Sequence, residues 1–203
     1  VRTDVTDRDN RIPVSGEAVG DARLNTMIAN GEDVRLSTIE HLMAAFSALG
    51  VSNAVVEVDG PELPILDGSA LEFVKLLDRA GFRPQPQPQR YIEILETVHV
   101  VEGDKHAALM PCDRFEMRFE IDFPSKVIGN QVIDFVVDEA TFRREIMACR
   151  TFGFAHEVEA LRAKGLIQGA STDNAVALDA AGVVGNTLRW PDEFVRHKAL
   201  DVV

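Results

Sequence analysis

The residues Ser37-Thr38-Ile39-Glu40-His41-Leu42-Met43-Ala44-Ala45-Phe46 open an amphipathic helix around which the chain is organised. Apolar side chains recur at helical spacing as far as Leu49, and Gly50 follows them, which predicts a helix from about Thr38 to Leu49. Ser37 and Glu40 are three positions apart, as in a capping box, where each side chain bonds a backbone amide. The sequence therefore predicts a capped helix that begins with a carboxylate beside an imidazole.

This pair of side chains suggests chemistry. A carboxylate and an imidazole at the start of a helix can supply a proton acceptor and a metal ligand. Far downstream, His197 and Asp201 stand four residues apart, so a helix would place both on one face. Together the two stretches can form a His, His, Asp site with Glu40 beside the metal. The alternatives are a capping role for Glu40, a core or surface position for His41, and an exposed ion pair between His197 and Asp201.

Composition limits the class of protein. The chain has 203 residues, of which 46% are hydrophobic and 27% charged, which is typical of a globular protein with a real core. No apolar run is long enough for a membrane span and no leader opens the chain, so we expect a cytoplasmic protein. A formal charge of -12 opposes nucleic-acid binding. The two cysteines, Cys112 and Cys149, fit neither a disulfide framework nor a paired-cysteine metal motif.

Residues 1–83 predict a first α+β half. The β-branched run Ala54–Val58 predicts a strand, and the proline-containing run Pro61–Ser69 predicts a loop folded onto the core. A second helix is predicted over Ala70–Ala80, where Gly81 stops it. We interpret the Asp67-Gly68-Ser69 turn within the loop as structural.

Alternating proline and glutamine over residues 84–89 predict an extended linker. Residues 90–203 then predict a second half that resembles the first in outline, with a helix over Asp138–Met147 capped by Asp138. The predicted strands of this half are Tyr91–Val101, Lys105–Met110, Phe115–Phe123 and Val132–Val137. We expect an α+β fold of two similar halves, each an antiparallel sheet with helices on one face.

The second half contains an apolar strand, helix and strand insert at about residues 154–178, which is suited to lining a groove. Its helix is predicted over Glu157–Lys164 and its second strand over Asn174–Leu178. Just before it, Thr151 is either an oxyanion donor or a hydroxyl bonded to local backbone. After it, Asp192 is predicted to cap the last helix, which carries His197 and Asp201.

Five ordered stretches together resemble the bacterial UDP-3-O-acyl-N-acetylglucosamine deacetylase family. They are Ser37–Leu42, Pro64–Ala70, Arg150–Phe154, Gly165–Leu166 with Gly169–Ser171, and Asp192–Asp201. The resemblance implies an enzyme, a zinc-dependent amidase that hydrolyses the N-acetyl group of UDP-3-O-acyl-N-acetylglucosamine and releases acetate. This reaction is the committed step of lipid A biosynthesis in Gram-negative bacteria. The family's fold places the helices between the two sheets.

The same resemblance implies roles for individual residues. It implies that Zn²⁺ is held by His41, His197 and Asp201, that Glu40 is the general base, and that Thr151 stabilises the oxyanion. Substrate-binding residues implied by the resemblance are Lys198 near the diphosphate, Phe152 against the nucleotide sugar, and, in the insert that forms the acyl passage, Phe154, Val158, Leu161, Gly169 and Ser171. We expect a monomer whose partner is the UDP-sugar substrate.

Two motifs of the family lie outside this sequence. A histidine in a Gly-His turn follows the zinc-binding helix in the family, whereas this sequence ends at Val203. The family's opening strands, with a His-Ser-Gly turn, would precede Val1, and Met43 stands where relatives often carry Asn. We therefore expect a piece of a longer protein, incomplete at both ends. The alternative function is a non-catalytic fragment that binds acylated UDP-sugar without hydrolysing it.

Overall fold

Helices and small sheets alternate along the chain in a computed structural model, which describes residues 1–20, 22, 24–158, 169 and 171–203. Fully described helices are α1 (Glu40–Ala48), α2 (Leu71–Ala80), α3 (Glu139–Thr141), which continues as a π-helix over Phe142–Ile146, and α4 (Glu193–Leu200), and a short 3₁₀ helix covers Gly16–Ala18. The strands are β1 (Ile28–Ala29), β2 (Arg35–Leu36), β3 (Val98–Glu102), β4 (Lys105–Leu109), β5 (Glu116–Asp122), β6 (Asn130–Val136), β7 (Phe152–Phe154), β8 (Val176–Leu178) and β9 (Val183–Val184). The α+β class predicted from the sequence is confirmed.

The strands form antiparallel pairs with one exception. β1 pairs with β2, β3 with β4 and β5 with β6, each in antiparallel register. β7 runs parallel to β8, and β9 completes that sheet in antiparallel register. A parallel pair needs a long crossover, which agrees with the predicted strand, helix and strand insert. Residues 155–158 are helical, and the rest of the predicted helix Glu157–Lys164 lies outside the described residues.

Helix α4 occupies the centre of the core. Phe194, Val195, Ala199 and Leu200 are each at most 1% exposed. The helix contacts β5 and β6 on one side and α1 on another, and α1 in turn contacts α2. Burial of Phe194 and Leu200 contributes about 1.5–3 kcal/mol each, so this packing fixes α4 firmly beside α1. Among the described residues, none of the helices has the length and apolar character needed to cross a bilayer.

The predicted capping box at α1 is wrong. The Ser37 amide donates to the Pro61 carbonyl at 2.9 Å, and the Glu40 carboxylate accepts from the Thr26 amide at 3.0 Å. Between them Thr38 has a left-handed backbone with φ of +59°, which turns Ser37 away from the helix end. The helix therefore begins at Glu40, two residues later than predicted, and its cap residue Ile39 makes no side-chain capping bond.

One predicted strand is absent, and another is shorter than predicted. Within Ala54–Val58 only Val58 forms a bridge, to Arg2, because the hydrogen bonds of this run are made with the short segment Val1–Thr3. An extended run becomes a strand only where a partner lies along its length. The strand predicted over Tyr91–Val101 begins at Val98, and Tyr91 before it is 81% exposed.

Other local predictions are confirmed. Pro61–Ser69 contains no helix, and α2 ends at Ala80, directly before Gly81, whose φ of +73° is one that favours glycine. The Asp138 side chain accepts from the Thr141 amide at 2.7 Å and so caps α3. The predicted cap at Asp192 is wrong, because its carboxylate accepts from Arg196 Nε at 2.7 Å and makes no capping bond, although Asp192 does directly precede α4. The division into halves at the 84–89 linker stays a prediction.

Candidate metal centre

Side chains from the two central helices meet in the core. His41 is the second residue of α1, whereas His197 and Asp201 lie one turn apart at the end of α4. One ligand atom from each of the three residues lies within 4.8 Å of the other two, and both histidines are only 2% exposed. The two imidazole rings meet edge to face with centroids 5.2 Å apart. We call these three residues the metal triad, because three converging ligands of this kind are what a catalytic zinc site requires.

The hydrogen bonds of the triad leave atoms available for a cation. His197 Nδ1 lies 2.9 Å from the Cys149 carbonyl, which can only accept, so Nδ1 carries the proton and Nε2 keeps its lone pair. His197 Nε2 faces Asp201 Oδ1 at 3.5 Å. Among the described residues, His41 Nδ1 and Asp201 Oδ1 are buried without a hydrogen-bond partner. Such orphaned atoms cost about 1–3 kcal/mol each, and a cation would satisfy both. Two imidazoles and a carboxylate therefore fit Zn²⁺.

The protonation states also suit a cation. Burial, and next the charge of His197, lower the pKa of His41 to about 4. Burial likewise lowers the pKa of His197. Burial alone would raise the pKa of Asp201, but the charges of His197 and Lys198 bring that pKa below its usual value. Neutral imidazoles and an ionised carboxylate are the forms that bind metal ions.

Glu40 lies next to the triad at the first position of α1. Burial raises the pKa of its carboxyl group, and the negative charge of Asp201 acts in the same direction. A carboxylate with a raised pKa beside a metal site is suited to accepting a proton from water near neutral pH. Its partner is the Thr26 amide at 3.0 Å, so the capping alternative considered from the sequence does not hold.

Thr38 fixes the direction in which α1 begins. Its hydroxyl donates to Glu62 Oε1 at 2.8 Å and accepts from Asn25 Nδ2 at 3.0 Å. A left-handed backbone costs a β-branched residue about 1–2 kcal/mol, and these bonds offset that cost. The strained residue stands two positions before Glu40, so it helps to aim the carboxylate. The spacing of residues in the sequence gave no signal for this role of Thr38, because it depends on the backbone conformation.

Aromatic side chains extend from the triad to β7. The Phe152 ring packs on Phe194 with centroids 5.0 Å apart and lies 6.4 Å from the His197 ring. Phe123 contacts Phe152 at 5.8 Å and Phe154 at 6.4 Å. Phe123 and Phe194 were not among the predicted site residues, because each has the apolar spacing of an ordinary core position.

Lys198 lies beside the metal triad. Its Nζ donates to Asp201 Oδ2 at 2.9 Å and stands 5.8 Å from the centre of the Phe152 ring. The ammonium group thus holds one oxygen of Asp201, which leaves Oδ1 directed toward His197. The predicted role of Lys198 beside a diphosphate stays a prediction.

The remaining predicted substrate residues belong to the insert. Val158 is half-buried, and Leu161 lies outside the described residues. Gly169 and Ser171 are exposed and are joined by Asn174, whose Nδ2 donates to the Gly169 carbonyl and whose Oδ1 accepts from the Ser171 amide, both at 2.8 Å. Contacts of these residues with a substrate stay predictions.

The Asp67-Gly68-Ser69 turn supports Thr151. The Thr151 amide donates to the Gly68 carbonyl at 2.7 Å, and Thr151 is two residues from Cys149, which holds His197. Asp67 Oδ1 accepts from both the amide and the hydroxyl of Ser69, as expected of a structural turn. Gly68 has a φ of +81°, and a Cβ added there would lie 1.7 Å from the Asn174 carbonyl oxygen. Only glycine fits at this position.

We expect Gly68→Ala to destabilise the protein by about 2–4 kcal/mol, since left-handed strain and overpacking against backbone add together. The matched control is Gly81→Ala, because Gly81 has a similar φ of +73° but no atom within 4 Å of an added Cβ. This control should lose about 1–3 kcal/mol from backbone strain alone, because a φ of +73° with a ψ of 171° is almost confined to glycine. Urea denaturation of the two variants measures the difference. Equal losses in free energy of unfolding would show that the contact with Asn174 is unimportant.

Comparisons with known proteins give matches over the whole chain. A family model described as UDP-3-O-acyl N-acetylglycosamine deacetylase matches residues 1–203. A UDP-3-O-acyl-N-acetylglucosamine deacetylase from Phenylobacterium zucineum is 61% identical over 204 residues, covering 100% of this chain and 70% of that relative. Proteins of the same name from Teredinibacter turnerae and a Shewanella species are 47% and 46% identical, covering 95% and 99% of this chain. The chain spans 64% and 66% of the length of these last two relatives.

Proposed function

The chain belongs to the UDP-3-O-acyl N-acetylglycosamine deacetylase family, and on that premise we propose that the protein is a zinc-dependent amidase. Its proposed reaction is hydrolysis of the N-acetyl group of UDP-3-O-acyl-N-acetylglucosamine to release acetate, in lipid A biosynthesis. Hydrolysis of this linear amide breaks a C–N bond. The cytoplasmic location and the monomeric state expected from the sequence stay predictions.

One observation supports the proposal above all others. The metal triad gathers two neutral imidazoles and a carboxylate in the core, and it leaves His41 Nδ1 and Asp201 Oδ1 buried without partners among the described residues. Orphaned polar atoms are destabilising in a structural core, but they are useful as ligands. A site for a cation therefore explains an arrangement that packing alone does not.

In this proposal His41, His197 and Asp201 would hold Zn²⁺. Bound there, the ion would supply Lewis acidity, which favours attack of water on an amide carbonyl. Glu40 takes the proton that the attacking water loses, and its raised pKa keeps it a strong enough base for that task. Thr151 donates a hydrogen bond to the oxygen on which negative charge develops.

The leaving amine requires a proton before the tetrahedral intermediate can collapse. The protonated Glu40 can return the proton that it accepted from water, which makes it both base and acid. Its hydrogen bond from the Thr26 amide holds the carboxylate in one orientation between these two transfers. The chain's own residues therefore account for proton acceptance and proton return.

Substrate contacts are proposed on the surface around β7. Lys198 would attract the diphosphate and supply local positive charge to a chain whose formal charge is -12. The Phe152 ring, which is half-buried, would pack on the nucleotide-sugar part. Phe154 and Val158, with Leu161, Gly169 and Ser171, are proposed to contact the acyl chain.

A metal analysis combined with an acetate assay tests the proposal. Protein purified without chelator should contain about one zinc ion per chain, the stoichiometry of a single three-ligand site. Acetate release from UDP-3-O-acyl-N-acetylglucosamine should stop on chelation and return when zinc is restored. Release that is unaffected by chelation would contradict the zinc mechanism. Tight binding of the acylated UDP-sugar without release would favour the alternative of binding alone.

A further inference from the structure

A buried carboxylate on α4 binds the segment that precedes β7. Glu193 is 0% exposed, and Arg150, its ion-pair partner, is 6% exposed. The carboxylate accepts from the Arg150 amide at 2.9 Å, from Arg150 Nε at 3.0 Å and from Arg150 Nη2 at 3.2 Å. It also accepts from the Arg189 amide at 2.6 Å. Two backbone segments are thus tied to one side chain.

Glu193 and His197 lie one helical turn apart, so they project from the same face of α4. Glu193 accepts from the N–H of Arg150, and His197 Nδ1 donates to the carbonyl of Cys149. That N–H and that carbonyl are the two ends of a single peptide group. One peptide group therefore connects the carboxylate to the histidine through two hydrogen bonds of 2.9 Å.

We propose that Glu193 is a positioning residue for His197 and acts through the peptide group between Cys149 and Arg150. The negative charge polarises this peptide, so its carbonyl becomes a stronger acceptor for the Nδ1 proton of His197. The proton is then fixed on Nδ1, and the Nε2 lone pair is directed toward the metal triad. Histidine ligands of metals are commonly held by a carboxylate in direct contact, and here a peptide lies between the two.

Packing alone does not account for the buried charges. A pair of buried ions is commonly no more stabilising than apolar residues of the same size, because both charges lose their hydration. What apolar residues cannot supply is an acceptor for the Arg150 amide. The carboxylate therefore has a role in positioning His197. This inference rests on the proposed function only for the identity of the bound metal.

Glu193→Gln tests the proposal. The glutamine amide presents N–H groups to partners that are themselves donors, so at least one of the bonds is lost. We expect zinc affinity, measured by competition with a chromophoric chelator, to fall about 10–100-fold. Long-range ¹H–¹⁵N spectra of the metal-free protein should show one tautomer of His197 with the proton on Nδ1. The variant should show a mixture of tautomers.

Asp192→Asn is the matched control. It removes the same charge from the neighbouring position before α4, but Asp192 pairs with Arg196 and does not touch the peptide group. Zinc affinity and the His197 tautomer should be unchanged in this variant. An equal fall in zinc affinity in both variants would show a general charge effect and would overturn the proposal.

A double variant, Arg150→Met with Glu193→Leu, separates positioning from folding. It exchanges the ion pair for apolar residues of similar size, a change that often preserves a fold. Because the Arg150 and Arg189 amides and the Thr187 carbonyl also lose these partners, circular dichroism first checks that the variant is folded. We expect it to fold but to bind zinc as weakly as Glu193→Gln. Wild-type zinc affinity and a single Nδ1-protonated tautomer in either folded variant would overturn the proposal. Neither readout needs substrate, so failure of the deacetylase assay would refute the proposed function and leave this inference standing.

Discussion

Glu40→Gln is expected to lower the rate constant kcat of acetate release by about 10²–10⁴-fold, the usual contribution of a general base. A glutamine amide cannot accept the proton that the attacking water loses. Its carbonyl oxygen can still accept from the Thr26 amide, as the Glu40 carboxylate does. The fold and the metal triad should therefore be preserved. Zinc content is measured beside kcat on the same preparation.

Glu72→Gln is the control for this prediction. Glu72 lies in the first turn of α2, as Glu40 does in α1, but it is partly exposed and pairs only with Lys75 among the described residues. Its kcat and zinc content should match the wild type. For Glu40→Gln, loss of kcat with little change in KM would identify a group that acts in the transition state. Loss of zinc together with kcat would show that Glu40 supports the metal site and would reject its role as base.

The two helices that carry the triad could be predicted from the sequence. Apolar spacing on each side of His41 placed α1, Asp192 as a predicted cap placed α4, and the four-residue separation of His197 and Asp201 placed both on one face. Periodicity gives such faces directly, because a core-facing stripe follows the helical repeat. That the two faces meet was a hypothesis from the ligand types, and the resemblance strengthened it. The spacing itself left an exposed ion pair as the alternative.

The structural features that could not be predicted from the sequence depend on tertiary contacts. Glu193 follows the predicted capping residue Asp192 and has the position of an exposed first-turn glutamate, yet it is fully buried against Arg150, which lies in a distant segment. Glu40 met the spacing rule for a capping box, but a left-handed Thr38 redirected its partner Ser37. The π-helix over Phe142–Ile146 also has no local signature. For Glu193 and Glu40 a long-range hydrogen bond or backbone strain prevails over the local pattern.

The unpartnered atoms of the triad predict a second large effect, an increase in the stability of the folded protein when zinc binds. Zinc that binds only the folded protein stabilises it by about 4 kcal/mol at a thousandfold excess over Kd. For a domain of about 150–250 residues this corresponds to a rise in Tm of about 8–16 °C. Because His41 comes from α1 and the other two ligands from α4, loss of His41 should remove most of this rise.

The effect of His41→Leu on stability should therefore have opposite signs with and without zinc. In chelator the variant should be as stable as the wild type or more stable, because leucine fills a site that is 2% exposed and removes the orphaned Nδ1. That gain is about 1–3 kcal/mol, the cost of one buried unsatisfied polar atom. With excess zinc the wild type should become the more stable protein. Thermal unfolding followed by circular dichroism gives the Tm of both proteins in both conditions, and so shows which of them is the more stable in each.

His106→Leu is the comparison for that experiment, because His106 is exposed on β4, away from the triad. It should keep the full zinc-dependent rise in Tm. If His41→Leu also keeps it, His41 is not a ligand, and the other two residues must bind zinc without it. If His41→Leu is less stable than the wild type in chelator as well, then the imidazole has packing partners that outweigh its unsatisfied nitrogen. The sign of the difference in chelator thus tests whether the buried polar atoms of the triad are retained for a metal at the expense of the stability of the metal-free fold.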